Sequence, residues 1–262
     1  MRDETFNISF IGAGNVASHL APALENVGHS VKEVYSKTGA SAKKLIKNLY
    51  DASLKDSLNF LDSTSNIFII SIPDDEIIPV LNEIELPDQS LLVHTSGALS
   101  MDIIPESIAS VIGVFYPLQT FSKSRKLKIE EVPFLLESNH KSGLKILTSL
   151  AKSISKQVHH VNSQQRSQLH VAAVFACNFT NYLMTVSEEL LNEAKLDFNL
   201  LGPLVAETIE KSLLLKPSNA QTGPAKRGDL KTLDKHMEML AKHPAYSEIY
   251  KIISQQILDK YQ

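Results

Sequence analysis

The length, composition and charge of the chain limit its class before any motif is considered. It has 262 residues, of which 43% are hydrophobic, so it can bury one large core or two smaller ones. The net charge of −3, without a long basic run, argues against a nucleic acid or an anionic membrane as a partner. The single cysteine, Cys177, excludes an internal disulfide and a cysteine-based zinc site, which is typical of a reducing compartment.

Two further features of the sequence favour the cytoplasm. The segment from Met1 to Asn7 is charged and lacks the apolar run of a signal peptide. We find no window with the roughly eighteen apolar residues of a membrane span. We therefore expect a cytoplasmic protein that does not contact a membrane.

The first predicted element is an apolar strand, Asn7 to Ile11, that leads directly into a glycine-rich turn and then a helix, Val16 to Val27. Gly12 permits the tight turn, and Gly14 leaves room for a pyrophosphate to approach the backbone. The helix N-terminus attracts anions through its unpaired N–H groups and its dipole. The pattern predicts a dinucleotide site formed by Gly12, Ala13, Gly14, Asn15 and Val16.

A second strand, Ser30 to Tyr35, ends at Ser36, Lys37 and Thr38, where the adenosine ribose should bind. An acidic residue there usually binds the ribose of NAD, whereas a cation and hydroxyl groups suit the 2′-phosphate of NADP. These three residues therefore favour NADP. Two alternatives remain open. Glu33 could bind the ribose of NAD, or the three residues could be a polar loop that caps the next helix, Ala40 to Leu49.

The next two predicted strands, Asn66 to Ile72 and Ser90 to Val93, are apolar and fit a parallel sheet that is covered on both faces. Their carboxyl ends should share one edge, where open α/β sheets bind ligands. The residues at that edge are Ser71, Pro73, His94, Thr95, Ser96 and Gly97. We expect the nicotinamide near Ser96 and Gly97. The alternative is an ordinary turn whose hydroxyls bond their own backbone.

Two strands at 111–115 and 132–136 and a helix at 140–153 are predicted next. A short last strand, Lys156 to Val161, carries His159 and His160, which point to opposite faces and should not share a metal. The sequence predicts an α/β fold with a Rossmann-type, mostly parallel sheet over residues 1–161, and no metal site.

After Asn162 the strand signals stop, and helical periods predict an all-helical C-terminal domain over residues 162–262. Its first helix, Ser163 to Ala194, has an unusually apolar middle, Val171 to Phe179. A helix that is apolar on most sides is buried on most sides. We therefore predict a homodimer with this helix near its centre.

The candidate catalytic residues come from three places: His170 on that helix, His94, and Lys226 in the loop from Lys216 to Asp229. An imidazole can give a proton to an alkoxide as hydride arrives at carbon, although His170 could equally be a buried structural histidine. The stripe that holds His170 also contains Arg166, Val174, Cys177 and Asn181. Lys226 and Arg227 could bind a substrate carboxylate or be solvated charges.

Five motifs together resemble a known family. They are the cradle Ile11–Ala17, the His94–Gly97 turn, the run Pro117–Phe121, the helix from His170 to Asn178 and the loop Thr222–Asp229. The chain resembles the two-domain Rossmann-like oxidoreductases that carry a C-terminal helical domain of uncharacterised function and are similar to deazaflavin-dependent NADP reductases. Relatives of this family include ketopantoate reductase and pyrroline-5-carboxylate reductase.

The resemblance implies NADP (NADPH) as cofactor, a helical dimerisation domain and a small carboxylate-bearing substrate. In related hydroxyacid dehydrogenases a lysine and an asparagine correspond to His170 and Val174, and the family commonly has a histidine where this chain has Tyr116. Our first hypothesis is an NADPH-dependent reductase of a small 2-oxo acid, with ketopantoate the most specific candidate. The alternatives are a reductase of cyclic imines and a non-catalytic dinucleotide-binding module that senses redox state.

Overall fold

The computed structural model describes residues 4–262. By its internal contacts the chain divides into two compact units, one ending at Cys177 and the other running from Asn178 to Gln262. This division falls inside the long helix that begins at Ser163. The domain boundary predicted from the sequence, after residue 161, lies just before the start of that helix.

Within the described residues, the first unit is built on one sheet of eight strands in the order β3-β2-β1-β4-β5-β6-β7-β8. The strands are β1 Asn7–Ile11, β2 Ser30–Tyr35, β3 Ser53–Lys55, β4 Ile67–Ile70, β5 Leu91–His94, β6 Val111–Pro117, β7 Phe134–Ser138 and β8 Val158–His160. All neighbouring strands are parallel except β6 and β7. The predicted Rossmann-type, mostly parallel sheet is confirmed.

The helices of the described chain follow the predicted order. They are α1 Asn15–Asn26, α2 Ala40–Ile46, α3 Ile77–Leu81, α4 Lys141–Ile154, α5 Ser163–Ala173, α6 Thr180–Glu193, α7 Gly202–Leu215, α8 Pro217–Ala220, α9 Leu230–Met239 and α10 Pro244–Tyr261. A π-helical segment, Val174–Phe179, joins α5 to α6. The sequence predicted one uninterrupted helix here, because a π-helical insertion leaves apolar periodicity nearly unchanged.

The core of the first unit lies on both faces of the central strands. All four residues of β4 are buried, as the continuous apolar run predicted. Leu20 and Leu24 of α1 and Leu147 of α4 belong to the cluster on one face, and Ile77 of α3 belongs to the cluster on the other. This packing fixes the carboxyl ends of β1, β4, β5 and β6 along one edge.

Two differences from the sequence prediction concern strands. The edge strand β3 was missed because it has three residues and no buried side chain. Strand β6 extends to Pro117, so Tyr116 belongs to the strand rather than to the loop after it. Antiparallel pairing of Tyr116 with Leu135 of β7 produces this extension.

The second unit is helical and buries little apolar surface by itself. Its buried hydrophobic residues are Ala225, Leu233 and Leu240. Helix α7 has no buried residue, and its Leu213 is 83% exposed.

Among residues 4–262, one helix, Ser163–Glu193, is long and apolar enough to cross a membrane. Its most apolar window has a mean hydropathy of 1.3, and none of that window is buried. The sequence-based expectation that no window reaches membrane length is therefore wrong on length and composition alone. A core helix of a soluble protein can satisfy the same two criteria.

Candidate active site and dinucleotide cleft

The glycine cradle forms where β1 meets α1. Gly12 has a φ of +111°, and a Cβ atom there would overlap the carbonyl oxygen of Ser71. Its N–H group donates to the carbonyl oxygen of Tyr35 at 2.8 Å. This position requires glycine for the fold itself, because an L side chain fits neither the conformation nor the space.

Gly14 differs from Gly12, because the protein does not require a glycine there. Its φ of −79° suits any residue, and a Cβ atom would meet only the Ser71 carbonyl oxygen, at 3.7 Å. The space beside Gly14 is therefore open for a ligand. Helix α1 begins at the next residue, Asn15, with no side-chain cap and no acidic residue in its first turn. These features fit a pyrophosphate held by backbone N–H groups.

A cleft of about 430 Å³ extends from the cradle to the end of β2. Ser36, Lys37 and Thr38 lie along it, together with Ser71 and Pro73. The Lys37 ammonium forms an ion pair with Glu76 at 3.1 Å, and both side chains are exposed. Ser36 Oγ accepts the N–H group of Ala42 at 3.1 Å, so this residue also stabilises the start of α2, as the capping alternative stated.

Glu33 does not line this cleft, because its carboxylate is engaged elsewhere. It accepts hydrogen bonds from Ser9 Oγ at 2.6 Å and from Ser63 Oγ, and it lies 3.6 Å from the ammonium of Lys55. Only 13% of its side chain is exposed. Glu33 is the residue that would bind the ribose of NAD in the alternative, but its carboxylate already binds side chains of the protein.

The turn after β5 brings Ser96 and Gly97 to the same edge of the sheet. Ser96 Oγ donates to Asp74 at 2.9 Å and accepts the N–H groups of Ala98 at 3.1 Å and Leu99 at 3.0 Å. The hydroxyl of Ser96 thus bonds its own backbone, as expected for an ordinary turn.

Gly97 packs directly against two polar rings. A Cβ atom at Gly97 would lie 2.5 Å from His170 Nδ1, 2.7 Å from Tyr116 Cζ and 2.8 Å from the Tyr116 hydroxyl oxygen. His170 Nδ1 and that hydroxyl oxygen are 3.1 Å apart, within hydrogen-bond distance. Burial raises the pKa of Tyr116 above its usual value; the charge of Arg166 opposes this shift and that of Asp74 adds to it. Tyr116 is therefore neutral near pH 7.

His94 has a different environment from His170. Its side chain is fully buried, its Nδ1 accepts the N–H group of Ser96 at 3.1 Å, and its Nε2 donates to the carbonyl oxygen of Ser100 at 3.3 Å. Burial, with a contribution from the charge of Arg166, lowers the pKa of His94 to about 4. His94 is therefore neutral near pH 7, and both of its ring nitrogens are already bonded within the protein.

Arg166 is also fully buried, and it lies on α5 one turn before His170. Its guanidinium forms an ion pair with Glu137 of β7 and donates to the carbonyl oxygen of Leu99. Glu137 further accepts the N–H group of Ser163 at 2.9 Å and its hydroxyl at 2.8 Å. This cluster fixes the first turn of α5 to the sheet and to the turn after β5.

Two of these residues, Asp74 and Glu137, were not singled out from the sequence as site residues. The same holds for Lys123, which also lines the cleft. A lone charge at the end of a strand or in a charged loop resembles a solvated surface residue. Lys226 lies in the second unit, where its ammonium donates to the carbonyl oxygen of Gln221 at 2.8 Å and lies 5.2 Å from the centre of the Tyr261 ring. Residues 4–262 contain no group of side chains arranged to hold a metal ion.

The mostly parallel sheet and the glycine cradle at its edge define a dinucleotide-binding protein of the Rossmann class. A family described as a Rossmann-like domain matches residues 1–112, and a family described as a domain of unknown function (DUF2520) matches residues 132–257. No curated protein matches the sequence.

Solved structures show where the chain belongs. It is similar to a proposed NADP oxidoreductase from Bacteroides fragilis, with 36% identity, a TM-score of 0.90 and coverage of 97% of this chain and 98% of that one. The chain therefore belongs to the family of two-domain Rossmann-like NADP oxidoreductases with a C-terminal helical domain.

Two more distant structures share the fold. A reductive aminase from Aspergillus terreus, in complex with NADPH and ethyl-5-oxohexanoate, has 13% identity, a TM-score of 0.72 and coverage of 97% and 93% of the two chains. A pyrroline carboxylate reductase from Plasmodium falciparum, with NADP bound, has 17% identity, a TM-score of 0.61 and coverage of 97% and 99%.

Proposed function

We propose that the protein uses NADPH to reduce a small molecule at a carbonyl or imine carbon, and that His170 and Tyr116 deliver the proton. The observation that carries this proposal is the 3.1 Å contact between His170 Nδ1 and the Tyr116 hydroxyl, packed on Gly97 at the carboxyl edge of the sheet. This edge is where open α/β sheets bind their ligands. When bound, the dihydronicotinamide supplies the hydride.

The chemistry of the pair follows from the protonation state of Tyr116. Burial keeps the phenol neutral, so it can donate its hydrogen to Nδ1, and we assign to His170 the tautomer that carries a proton on Nε2. In this step Nε2 gives its proton to the carbonyl oxygen or imine nitrogen of the substrate as hydride arrives, and the phenol hydrogen moves to Nδ1. His170 then stays neutral and the negative charge ends on Tyr116, where the charge of Arg166 favours it. His94 is the weaker candidate, since both of its nitrogens are bonded within the protein.

Several contacts in the cleft support the cofactor assignment. Gly12, Ala13, Gly14, Asn15 and Val16 would hold the pyrophosphate, and Ser36, Lys37 and Thr38 would meet the 2′-phosphate. The contacts of Glu33 with Ser9, Ser63 and Lys55 keep it away from a ribose hydroxyl. Lys37 would exchange its exposed contact with Glu76 for the phosphate, and such exposed ion pairs contribute little stability. Ser71, Pro73, Ser96 and Gly97 would border the nicotinamide half.

For the substrate we keep a 2-oxo acid as the first candidate, with ketopantoate the most specific form, and Lys226 or Arg227 as the group that binds its carboxylate. A cyclic imine is the second candidate. The shared fold with a reductive aminase and a pyrroline carboxylate reductase favours the imine. Both substrates need one proton besides the hydride: a carbonyl takes it on oxygen as the alkoxide forms, and an imine takes it on nitrogen before or as the hydride arrives.

We further propose that the protein is a cytoplasmic homodimer formed through the helical domain, with the long helix that begins at Ser163 near its centre. Val171, in the apolar middle of that helix, is 53% exposed. Helix α7 exposes 63% of Leu204 and 79% of Leu214, and the second unit buries few apolar residues alone. A second copy would cover this surface. The interface would bury more than about 2,000 Å². A monomer in sedimentation at micromolar concentration would contradict the dimer.

The proposed activity is tested by steady-state oxidation of NADPH with a panel of 2-oxo acids and cyclic imines. We expect turnover with one of the two classes, and NADH should be a poorer donor. NADPH binding without turnover on any member of the panel would favour the non-catalytic, redox-sensing alternative. Absence of NADPH binding would contradict the whole proposal.

A further inference from the structure

The loop after β6 reaches back over the glycine cradle. His19 of α1 contacts this loop twice: its Nε2 lies 2.9 Å from the carbonyl oxygen of Ser122, and its ring centre lies 5.4 Å from that of Phe121. The loop is therefore attached to the helix that begins at the cradle. This contact joins residues about a hundred positions apart in the chain.

The attached loop places one cation on the cradle itself. Lys123 Nζ donates to the carbonyl oxygen of Ala13 at 3.0 Å, and Lys123 belongs to the wall of the cleft that runs to Ser36, Lys37 and Thr38. Among the ion pairs of the described residues, Lys37 is neutralised by Glu76 and Lys128 by Glu131, whereas Lys123 takes part in none. Within the described residues, its ammonium contacts a neutral carbonyl oxygen and no carboxylate.

We propose that Lys123 binds the pyrophosphate of the dinucleotide, an inference that depends on the proposed function. A pyrophosphate carries about two negative charges, whereas a helix N-terminus offers the equivalent of only about half a positive charge. The first turn of α1 has no side-chain cap, so no other side chain competes for its N–H groups. Lys123 supplies the missing cation from the opposite side of the cradle.

The two lysines of the cleft therefore have separate roles. Pyrophosphate is common to NADP and NAD, so Lys123 strengthens the binding of both. The 2′-phosphate exists only in NADP, so Lys37 strengthens the binding of NADP alone. This division allows the two residues to be distinguished in one set of measurements.

The experiment measures the dissociation constants of NADPH and NADH for the wild type, Lys123→Ala, Lys123→Arg, Lys37→Ala and Lys126→Ala. Lys126→Ala is the matched control, because Lys126 is exposed and lies in the same loop, and the substitution removes the same charge. We expect Lys123→Ala to weaken both dinucleotides by a similar factor, roughly 10- to 100-fold, and Lys123→Arg to restore most of the affinity. Lys37→Ala should weaken NADPH and leave NADH nearly unchanged.

Two results would overturn the assignment while leaving the proposed function intact. One is a Lys123→Ala variant that binds both dinucleotides as Lys126→Ala does. The other is a loss confined to NADPH, which would place Lys123 on the 2′-phosphate. A wild type that binds neither dinucleotide contradicts the proposed function and this assignment together.

Discussion

His170 Nδ1 lies 3.1 Å from the hydroxyl oxygen of Tyr116, and both groups press against the bare backbone of Gly97. Three separate elements meet at this point: α5, the end of β6 and the turn after β5. The arrangement leaves no room for a side chain at Gly97. It also gives the histidine a neutral hydrogen-bond partner.

Gly97→Ala should therefore damage catalysis more than folding. The added methyl group would lie 2.5 Å from His170 Nδ1, so the imidazole or the phenol must move. We expect kcat to fall by about 10-fold or more, because misplaced catalytic groups cost rate. Gly202→Ala is the control, since a Cβ atom there meets nothing within 4 Å. An unchanged kcat in Gly97→Ala would show that the packing of Gly97 against His170 and Tyr116 does not matter for catalysis.

Gly14 and Gly12 should respond to substitution in opposite ways. Gly14→Val should abolish dinucleotide binding and leave thermal stability almost unchanged, because its Cβ position is open within the protein. Gly12→Ala should lower stability by roughly 1–3 kcal/mol, since it forces a side chain into a positive φ and against Ser71. Calorimetric titration and thermal denaturation measure the two effects. Normal cofactor affinity in Gly14→Val would contradict the assignment of the cradle.

Buried His94 should make stability depend on pH. Its pKa is about 4 in the folded protein, against 6.5 when unfolded, so between these values the unfolded chain binds more protons. The contribution is complete above pH 6.5 and is lost as pH falls towards 4, by a total of about 3 kcal/mol.

The measurement is chemical denaturation at several pH values for the wild type and His94→Gln. The variant should show a flatter dependence in this range. His29, whose pKa is also lowered by burial, contributes in the same direction in both proteins and so does not affect the comparison. Parallel curves for the two proteins would show that His94 does not titrate as described.

The buried pair of Arg166 and Glu137 should be sensitive to the loss of one partner. Arg166→Ala leaves an uncompensated carboxylate in a mostly buried position, which should cost about 3–5 kcal/mol of unfolding free energy. Replacing both residues with methionine should cost clearly less, because no unpaired charge remains. Equal losses in the single and double variants would show that the ion pair is not the source of the effect.

The fold was largely predictable, because its signals are local. A run of apolar residues predicts β4, which is buried along its whole length. A glycine after a strand predicts the turn at Gly12, which has a positive φ. The cradle residues and the edge that carries Ser71, Ser96 and Gly97 were likewise expected from strand order. These features depend on neighbours that are close in sequence.

The pair that we propose as proton donor was harder to predict from the sequence. Tyr116 and His170 are 54 positions apart, and their contact depends on the register of β6 against β7 and on the seating of α5. The position of α5 on the sheet depends on the ion pair of Arg166 and Glu137. The periodicity of the sequence does not show that these two residues pair. His94 and His170 looked equally suitable in sequence, and only burial and hydrogen-bond partners distinguish them.

The most direct test of the account is the kcat of His170→Ala for NADPH oxidation with the best substrate of the panel, measured beside its NADPH affinity. General acid catalysis contributes about 100- to 10,000-fold to a rate. We predict a fall in kcat of at least about 100-fold with NADPH affinity unchanged within about twofold. A His170→Ala variant that keeps the kcat of the wild type would contradict the assignment of His170 as proton donor.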